Sequence, residues 1–399
     1  MKAAKLLDID VIIATSHEQS LVTEIKAGIN IDLNDLANAL ESILVEHRKR
    51  AFQGIIGTDD STVEIATYFA DHLKLRHNPV AATKLTHRKD LARICLKNSQ
   101  CAVPKFKIID LKSSLEAQTN NIHWPCVLKP LNMSASRGVI RVNNLAEFVA
   151  AGKRIGKIVR ENHNEFERQH LLLESYIEGI EVAYEGYLEN GKLNTVTLFD
   201  KPNPLQGPYF EETIYVTPST LAANTQNKIK TTVESACQAY GLVTGPIHAE
   251  LRIDQQGLPW TLEVANRSIG GDCARTLDAA EDYALEKMII SLAIGHPVEP
   301  IKLERARGVM MIPTSKTGIL QKINGISDAE SVTGINSVII NINPGYELIA
   351  LPEGNQYLGY LFAEAETPDQ VVNTLNLALS KLEFKVQPKI SLLPSNPAT

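Results

Sequence analysis

Short apolar runs alternate with amphipathic stretches along the first part of the chain. The run Val11 to Thr15 is followed by a helical pattern near Leu33 to Arg50 and by a second apolar run, Phe52 to Gly57. Strands that alternate with helices are typical of a parallel sheet covered by helices. After the second run, Ser61 and Glu64 form an S-x-x-E capping box that predicts a helix start. The pattern therefore predicts a small doubly wound α/β domain at the amino terminus.

The middle of the chain mixes strands and helices in a second pattern. A charged helix is predicted from about Lys84 to Asn98, and strand-like runs follow at Phe106 to Asp110 and at Cys126 to Pro130. A helix near Ala146 to Val159 precedes the apolar strand Leu171 to Ile177. This order predicts a second, α+β subdomain.

The rest of the chain has the pattern of an antiparallel sheet crossed by helices. Asn190-Gly191 lies between two strand-like runs, which is a strong hairpin signal. A helix near Asn227 to Tyr240 is followed by a glycine, which predicts its end. Thr367-Pro368 predicts the N-cap and first position of a final amphipathic helix.

Composition narrows the class of protein. A chain of 399 residues predicts two or three subdomains, and a net charge of -6 gives no basic field for nucleic acid or for an anionic membrane. The five cysteines lack C-x-x-C spacing, so we expect neither a zinc site nor a disulfide framework. The opening residues resemble no signal peptide. We therefore expect a cytoplasmic protein with small-molecule partners, no nucleic acid and no membrane.

The strand-like runs HAELRI and WTLEVA carry two glutamates. If Ile253 pairs with Trp260, Glu250 lies directly opposite Glu263, with Cβ atoms about 5 Å apart on one face. Two carboxylates at that distance repel each other, and a shared Mg²⁺ would relieve the repulsion because this ion prefers oxygen ligands. Alternatively, one glutamate is protonated or turned to solvent.

Cations share the predicted face of the two glutamates. Alternation places His248, Arg252 and Arg267 there, which suits a negatively charged substrate. Arg267 can bind a carboxylate or an oxyanion with two parallel hydrogen bonds. His248 either orients a substrate or simply hydrogen-bonds within the sheet. The Gly270-Gly271 pair allows close approach of an anion to the backbone, although such a pair is also an ordinary turn.

Two further segments carry candidate binding residues. Lys129 ends an apolar strand and needs an anionic partner, and the small-residue loop Ser134 to Gly138 can cover phosphates with hydroxyl and backbone N–H groups. The chain lacks the P-loop pattern. Glu174 and Glu181 flank a hydrophobic stretch, an order that suits an adenine followed by a ribose; as isolated residues they would be ordinary surface glutamates.

Taken in order, these segments resemble the ATP-grasp superfamily, particularly its carboxylate–amine ligases, which include amino-acid ligases, carnosine-synthase-like enzymes and the biotin carboxylase group. The resemblance runs from about Asn78 to Gly271, and the tail Tyr357 to Val371 resembles the carboxyl-terminal segment of the same ligases. The motifs that carry it are VLKP, SASRGV, LLLESYIEG-x-E, HAELR and LEVANR-x-IGG.

The resemblance implies a nucleotide-binding set of residues. Its members would contact the phosphates of ATP, cover them, or hold the adenine and the ribose: Lys89, Lys129, Ser134, Ser136, Gly138, Glu174, Tyr176, Ile177 and Glu181.

The resemblance also implies a metal and catalytic set. Glu250 and Glu263 would bind Mg²⁺, with Mn²⁺ as a substitute. Arg267 would stabilise an acyl phosphate and its tetrahedral successor, and Lys201 would contact phosphate or substrate, with His248 as a further candidate catalytic residue.

The implied fold is an ATP-grasp fold of mixed α/β and α+β class. It would comprise an amino-terminal doubly wound α/β domain (1–77), a central and lid α+β subdomain (78–182), an antiparallel catalytic subdomain (183–300) and an α+β extension packed on that core (301–399). Ala265 stands where many family members have Asn, so metal coordination would rely on the two glutamates and water. The first domain starts one strand later than the family pattern, so either a strand precedes Met1 or the domain tolerates its loss.

The implied activity is a magnesium- and ATP-dependent ligase. It would activate a small carboxylate as an acyl phosphate and couple it to an amine, releasing ADP and phosphate. A bicarbonate or thiol co-substrate and a non-catalytic nucleotide-binding protein are the alternatives, and a homodimer stays open.

Overall fold

The computed structural model describes residues 1–16, 28–278 and 283–389. The α-helices, numbered in chain order, are α1 Lys2–Leu6, α2 Leu36–Lys49, α3 Asp60–His72, α4 Val80–His87, α5 Lys89–Asn98, α6 Leu145–Ile158, α7 Glu165–Gln169, α8 Ala223–Tyr240, α9 Ala284–Ile294, α10 Ile326–Glu330 and α11 Pro368–Leu379.

The strands are β1 Ile13–Thr15, β2 Gly28–Asn30, β3 Phe106–Asp110, β4 Cys126–Pro130, β5 Ile140–Val142, β6 His170–Ser175, β7 Ile180–Glu189, β8 Lys192–Lys201, β9 Ile214–Thr217, β10 Gly245–Ile253, β11 Pro259–Ala265, β12 Ala306–Ile312, β13 Gly318–Asn324, β14 Ile335–Ile340, β15 Glu347–Leu348, β16 Gly359–Ala365 and β17 Glu383–Gln387.

The described residues form two compact units whose segments interleave along the chain. The first unit comprises Met1–Phe106, Ile177–Asp200 and Thr217–Glu304. The second comprises Lys107–Tyr176 and Lys201–Val216 and continues from Arg305.

The first unit is built around antiparallel strands in the order β11-β10-β7-β8. Asn190 and Gly191, both with positive φ, make the predicted tight turn between β7 and β8. Apolar residues of β7 and β10 form one core with those of α5 and α8, among them Leu96, Ile229 and Leu251. This core fixes the face of the sheet that carries the candidate site.

The amino-terminal part of the first unit differs from the prediction in one element. Strands β1 and β2 pair in parallel, but within the described range 28–278 residues 52–57 form no strand. A Cβ added at Gly54 would lie 2.8 Å from the carbonyl oxygen of Ala293, and one at Gly57 would lie 2.6 Å from the Cα of Val63. The apolar run therefore packs against helices α9 and α3, and its apolar pattern reflects burial rather than strand pairing.

Two helix boundaries also differ. The N-cap of α3 is Asp59, whose carboxylate accepts hydrogen bonds from the N–H groups of Ser61 and Thr62. The Thr62 hydroxyl accepts the Asp59 N–H in return, which completes a capping box. The predicted Ser61–Glu64 box was wrong. The single charged helix predicted from Lys84 is two helices, because the backbone is extended at Arg88, whose guanidinium donates twice to Asp90.

The second unit contains a sheet in the order β3-β6-β4-β5, with α6 packed on β4 and β5. Its carboxyl-terminal part has the neighbouring strands β9-β12-β16-β14, with α11 packed on β12 and β16. Thr367 is the N-cap of α11 and Pro368 its first residue, as predicted, and Gln370 completes a capping box with Thr367. No described helix is both long and apolar enough to span a bilayer.

Candidate active site

The two glutamates predicted to face each other are direct partners in the first unit. Strands β10 and β11 pair Glu250 with Glu263, and both side chains are partly exposed, at 22% and 26%. The predicted end of the hairpin was wrong by one residue, since Ile253 faces Pro259 rather than Trp260. A bulge next to Glu250 absorbs the shift and leaves the glutamate pair in place.

Two cations offset the repulsion between these carboxylates. The Nζ atom of Lys89 lies 3.0 Å from a carboxylate oxygen of Glu263. The Nε2 atom of His248 lies 3.7 Å from a carboxylate oxygen of Glu250. The glutamates, the lysine at the start of α5 and the histidine of β10 therefore form one charged cluster within the first unit.

His248 has a second carboxylate partner that the sequence did not single out. Its Nδ1 donates a hydrogen bond to Glu185, which lies opposite it on β7 and is 1% exposed. Burial by itself would lower the pKa of His248, but the adjacent Glu185 charge and hydrogen bond raise that pKa to about 9. The neighbouring carboxylates therefore favour the protonated imidazole, which contacts one of them on each side.

Arg267 is held by an acidic residue from the amino-terminal segment. Its Nε and Nη2 donate to the two oxygens of Asp60 at 2.6 and 2.9 Å. Burial by itself would raise the pKa of Asp60, but the Arg267 hydrogen bond and charge hold it below its ordinary value. Gly271, with φ of 62°, then turns the chain, and a Cβ added at Gly270 would meet no atom within 4 Å.

Glu181 and Arg252 are paired within the first unit. The Arg252 guanidinium donates to Glu181 at 3.0 Å and to the carbonyl of Ile177 at 2.8 Å. Arg252 is only 3% exposed, and its expected contact with a substrate stays a prediction. Its hydrogen bonds order the segment from Ile177 to Glu181.

The residues present fit a divalent cation of the hard type. Glu250 and Glu263 offer carboxylate oxygens, and an oxygen of Glu181 lies within 4.8 Å of one of Glu250. Asn266 does not replace the amide missing at Ala265, because its own amide bonds Asn78 and the carbonyl of Pro246. Metal coordination would therefore rest on the carboxylates alone.

The second unit carries the predicted phosphate-binding lysine. Lys129 on β4 lies 2.6 Å from Glu174 on the neighbouring strand β6, and both side chains are buried. The lysine thus has the anionic partner that its position on a buried strand requires. The structure brings Lys129 and Glu174, predicted for phosphate and adenine respectively, into one ion pair.

The small-residue loop after β4 has an unusual backbone. Ala135, Ser136 and Gly138 all have positive φ, and the Gly138 N–H donates to the carbonyl of Pro352 at 2.9 Å. A Cβ at Gly138 would lie 2.8 Å from the ring of Pro130. Glycine is therefore required there, and Ser134 in the same loop is exposed.

Other predicted residues of the second unit have protein partners as well. Lys201 pairs with Glu212 at 2.6 Å and lies over the ring of Tyr215. The Arg141 guanidinium stacks on the ring of Tyr176 at 4.2 Å, and the Tyr176 N–H donates to the carbonyl of Pro125. The roles assigned to these residues stay predictions.

Sequence reasoning missed Glu185 and Asp60. Alternation along β7 puts Glu185 on the same face as Glu181, which was a usable signal. Its contact with His248 depends on the pairing of β7 with β10, and that pairing joins residues 63 apart. Asp60 precedes the predicted helix start at Ser61 and was not singled out, although it binds a residue 207 positions later.

Two family models match the chain. The ATP-grasp domain matches residues 122–276, and the L-amino acid ligase C-terminal domain 2 matches residues 310–387. These matches show that the chain contains an ATP-grasp domain, in agreement with its fold. Along the chain, the ATP-grasp domain is followed by a segment that matches the second C-terminal domain of L-amino acid ligases.

The chain is also similar in sequence to a named ligase and to an uncharacterized protein. The chain is 25% identical over 248 residues to the D-alanine–D-alanine ligase of Nitrosomonas eutropha, covering 58% of this chain and 73% of that one. It is 23% identical over 287 residues to the uncharacterized protein y4rH of Sinorhizobium fredii, covering 72% of this chain and only 58% of that protein's length.

A solved structure supports the fold across nearly the whole chain. The L-amino acid ligase from Bacillus licheniformis superposes with a TM-score of 0.84 at 21% identity, covering 97% of this chain and 95% of that one. The predicted mixed α/β ATP-grasp fold is therefore confirmed.

Proposed function

We propose that this protein is a magnesium- and ATP-dependent ligase that activates a small carboxylate, such as that of an amino acid, as an acyl phosphate and couples it to an amine. ADP and phosphate are the other products. The observation that carries the proposal is the pairing of Glu250 with Glu263 on neighbouring strands, with Lys89 at the start of α5 in contact with Glu263.

In this proposal Glu250 and Glu263 hold Mg²⁺, which, when bound, neutralises charge on the phosphoryl oxygens of ATP. Lys89 and, in the second unit, Lys129 bind phosphate oxygens. The loop with Ser134, Ser136 and Gly138 covers the phosphates and keeps water from the acyl phosphate.

Arg267 serves the second half of the reaction. The substrate carboxylate attacks the γ-phosphate, and the amine then displaces phosphate from the acyl carbon. The planar Arg267 side chain suits the negative charge that develops on the acyl oxygen, and Asp60 fixes its orientation. His248 and Lys201 are the further catalytic candidates.

The remaining assignments belong to nucleotide recognition. Glu174 and the backbone at Tyr176 and Ile177 bind adenine, and Glu181 binds the ribose. Arg252 supports this assignment, because its bonds to Ile177 and Glu181 keep that segment ordered.

The names of the relatives favour amino acids as substrates. Both the matched L-amino acid ligase structure and the D-alanine–D-alanine ligase are named for joining amino acids. A cytoplasmic location remains our expectation, because all five cysteines are free thiols.

The test is ADP release from Mg-ATP in the presence of pairs of amino acids. We expect release that depends on an amino acid and on Mg²⁺, and its loss in the Glu250→Gln and Glu263→Gln variants, because each removes a metal-binding charge. The exposed Glu299→Gln variant is the matched control and should keep full activity.

Near-normal turnover in either glutamine variant would contradict the metal assignment. ADP release that requires bicarbonate and no amino acid would contradict the amine acceptor. Nucleotide binding without turnover across broad acid and amine panels would contradict the ligase proposal as a whole.

A further inference from the structure

Glu185 is a buried carboxylate whose two oxygens are used on different parts of the first unit. One oxygen accepts the hydrogen bond from Nδ1 of His248 on β10. The other accepts the N–H of Ile269 at 3.2 Å, in the loop that follows β11. A single side chain on β7 therefore connects a neighbouring strand and the loop beyond the next strand.

The contact with His248 sets the orientation of the imidazole. With Nδ1 bound to Glu185, the ring directs Nε2 toward Glu250, 3.7 Å away. Carboxylates that bind the far nitrogen of a histidine commonly fix its ring orientation in metal sites. Here the histidine contacts Glu250, a proposed metal-binding carboxylate, rather than the metal. Glu185 fixes the position of the histidine from the opposite side of the ring.

The contact with Ile269 anchors the loop that carries Arg267. That loop is held at Arg267 by Asp60 and, two residues later, at Ile269 by Glu185. The backbone at Gly270 follows directly, and a Cβ there would meet no atom within 4 Å. The hydrogen bonds to Asp60 and Glu185 thus fix the backbone of this loop just before Gly270, where it faces unoccupied space.

A buried charge pair is a poor way to gain stability alone, because desolvation offsets most of its attraction. Apolar side chains would fill the same space between β7 and β10. The connections of Glu185 lead instead to the metal-binding and oxyanion-binding candidates. This arrangement suits a residue that positions other groups.

We propose that Glu185 is a positioning residue of the ligase reaction, acting through His248 on Glu250 and through Ile269 on the Arg267 loop. This inference rests on the proposed function. Glu185 contacts His248 and Ile269, and in the described contacts it touches neither phosphate-binding lysine. Its loss should therefore lower kcat much more than it raises KM for ATP.

The experiment compares the full-length wild type with Glu185→Gln and Glu185→Asp, using an amino-acid pair for which the wild type releases ADP. We expect Glu185→Gln to lower kcat roughly 10- to 100-fold, as for other residues that orient metal ligands, with KM for ATP changed by less than about threefold. Glu185→Asp, which retains a carboxyl group, should recover part of the rate. Glu189→Gln, on the same strand, is the matched control.

If Glu185 only stabilises the fold, Glu185→Gln should have a lower melting temperature but an unchanged kcat at temperatures where the variant is folded. That result would overturn the proposal. A wild type that releases no ADP would contradict the proposed function itself, and this role with it. Active wild type together with fully active Glu185→Gln would contradict the Glu185 role alone.

Two measurements keep the test decisive if Glu185→Gln does not fold. Hydrogen exchange of the wild type should show a protected Ile269 amide, and rapid exchange there would contradict the anchor. His248→Gln should lower kcat while Ile269 stays protected, and an unchanged kcat would contradict the path through His248.

Discussion

At the scale of single residues, the predicted cations share one property: each has an acidic protein partner. The pairs are Lys89–Glu263, Lys129–Glu174, Lys201–Glu212 and Arg267–Asp60. Buried or half-buried cations need such partners when no ligand is bound. The partners also hold the side chains in position, so that a phosphate or carboxylate meets an ordered binding group.

The Arg267–Asp60 pair gives a prediction about stability and pH. Replacing Asp60 with Asn should lower the free energy of unfolding by about 2 kcal/mol at pH 7, since a hydrogen-bonded charge is lost. The pKa of Asp60 is lowered in the folded protein. The pair therefore makes its full contribution to the free energy of unfolding at pH values above the ordinary aspartate pKa of about 3.9. This contribution is lost as the pH falls through the lower pKa of Asp60 in the folded protein.

Urea unfolding of wild type and Asp60→Asn between pH 7 and pH 3 measures this difference. It should stay constant down to about pH 5 and shrink below about pH 4. The exposed Asp10→Asn variant serves as the control and should match the wild type throughout. A difference that grows toward low pH would contradict the pair.

At the scale of elements, alternation and turn chemistry could be interpreted from the sequence, whereas long-range pairing could not. Glu250 and Glu263 were found because both lie on one hairpin, whose register is local. Glu185 was missed because its contact depends on how β7 and β10 pair. The run from Phe52 to Gly57 was misassigned because burial against helices produces the same apolar pattern as a buried strand.

The loop after β4 offers a prediction at this scale. Gly138→Ala should raise KM for ATP, because the residue has φ of 74° and its Cβ would lie 2.8 Å from the Pro130 ring. The change should distort the loop that carries Ser134 and Ser136. Gly191→Ala is a matched control, with φ of 79° but no atom within 4 Å of the added Cβ.

Both variants should lose about 1–2 kcal/mol of stability from the left-handed backbone. KM for ATP should rise in Gly138→Ala alone. An equal KM in the two variants would show that the loop does not contact the nucleotide.

At the scale of the whole molecule, the described residues form two units, and the ATP-grasp match at 122–276 draws on segments of both. The fold could be predicted because many short motifs occur in a fixed order. The boundaries at 77, 182 and 300 stay predictions. Substrate identity could not be predicted, because specificity depends on the shape of pocket walls that no motif marks.

The central claim is that a carboxylate is activated by phosphoryl transfer from ATP. The most direct measurement uses an amino acid whose carboxylate oxygens are labelled with ¹⁸O, turned over with Mg-ATP and an amine substrate. The account predicts that one ¹⁸O atom appears in each inorganic phosphate released, because the acyl oxygen leaves with the phosphoryl group. Turnover that releases only unlabelled phosphate would contradict it.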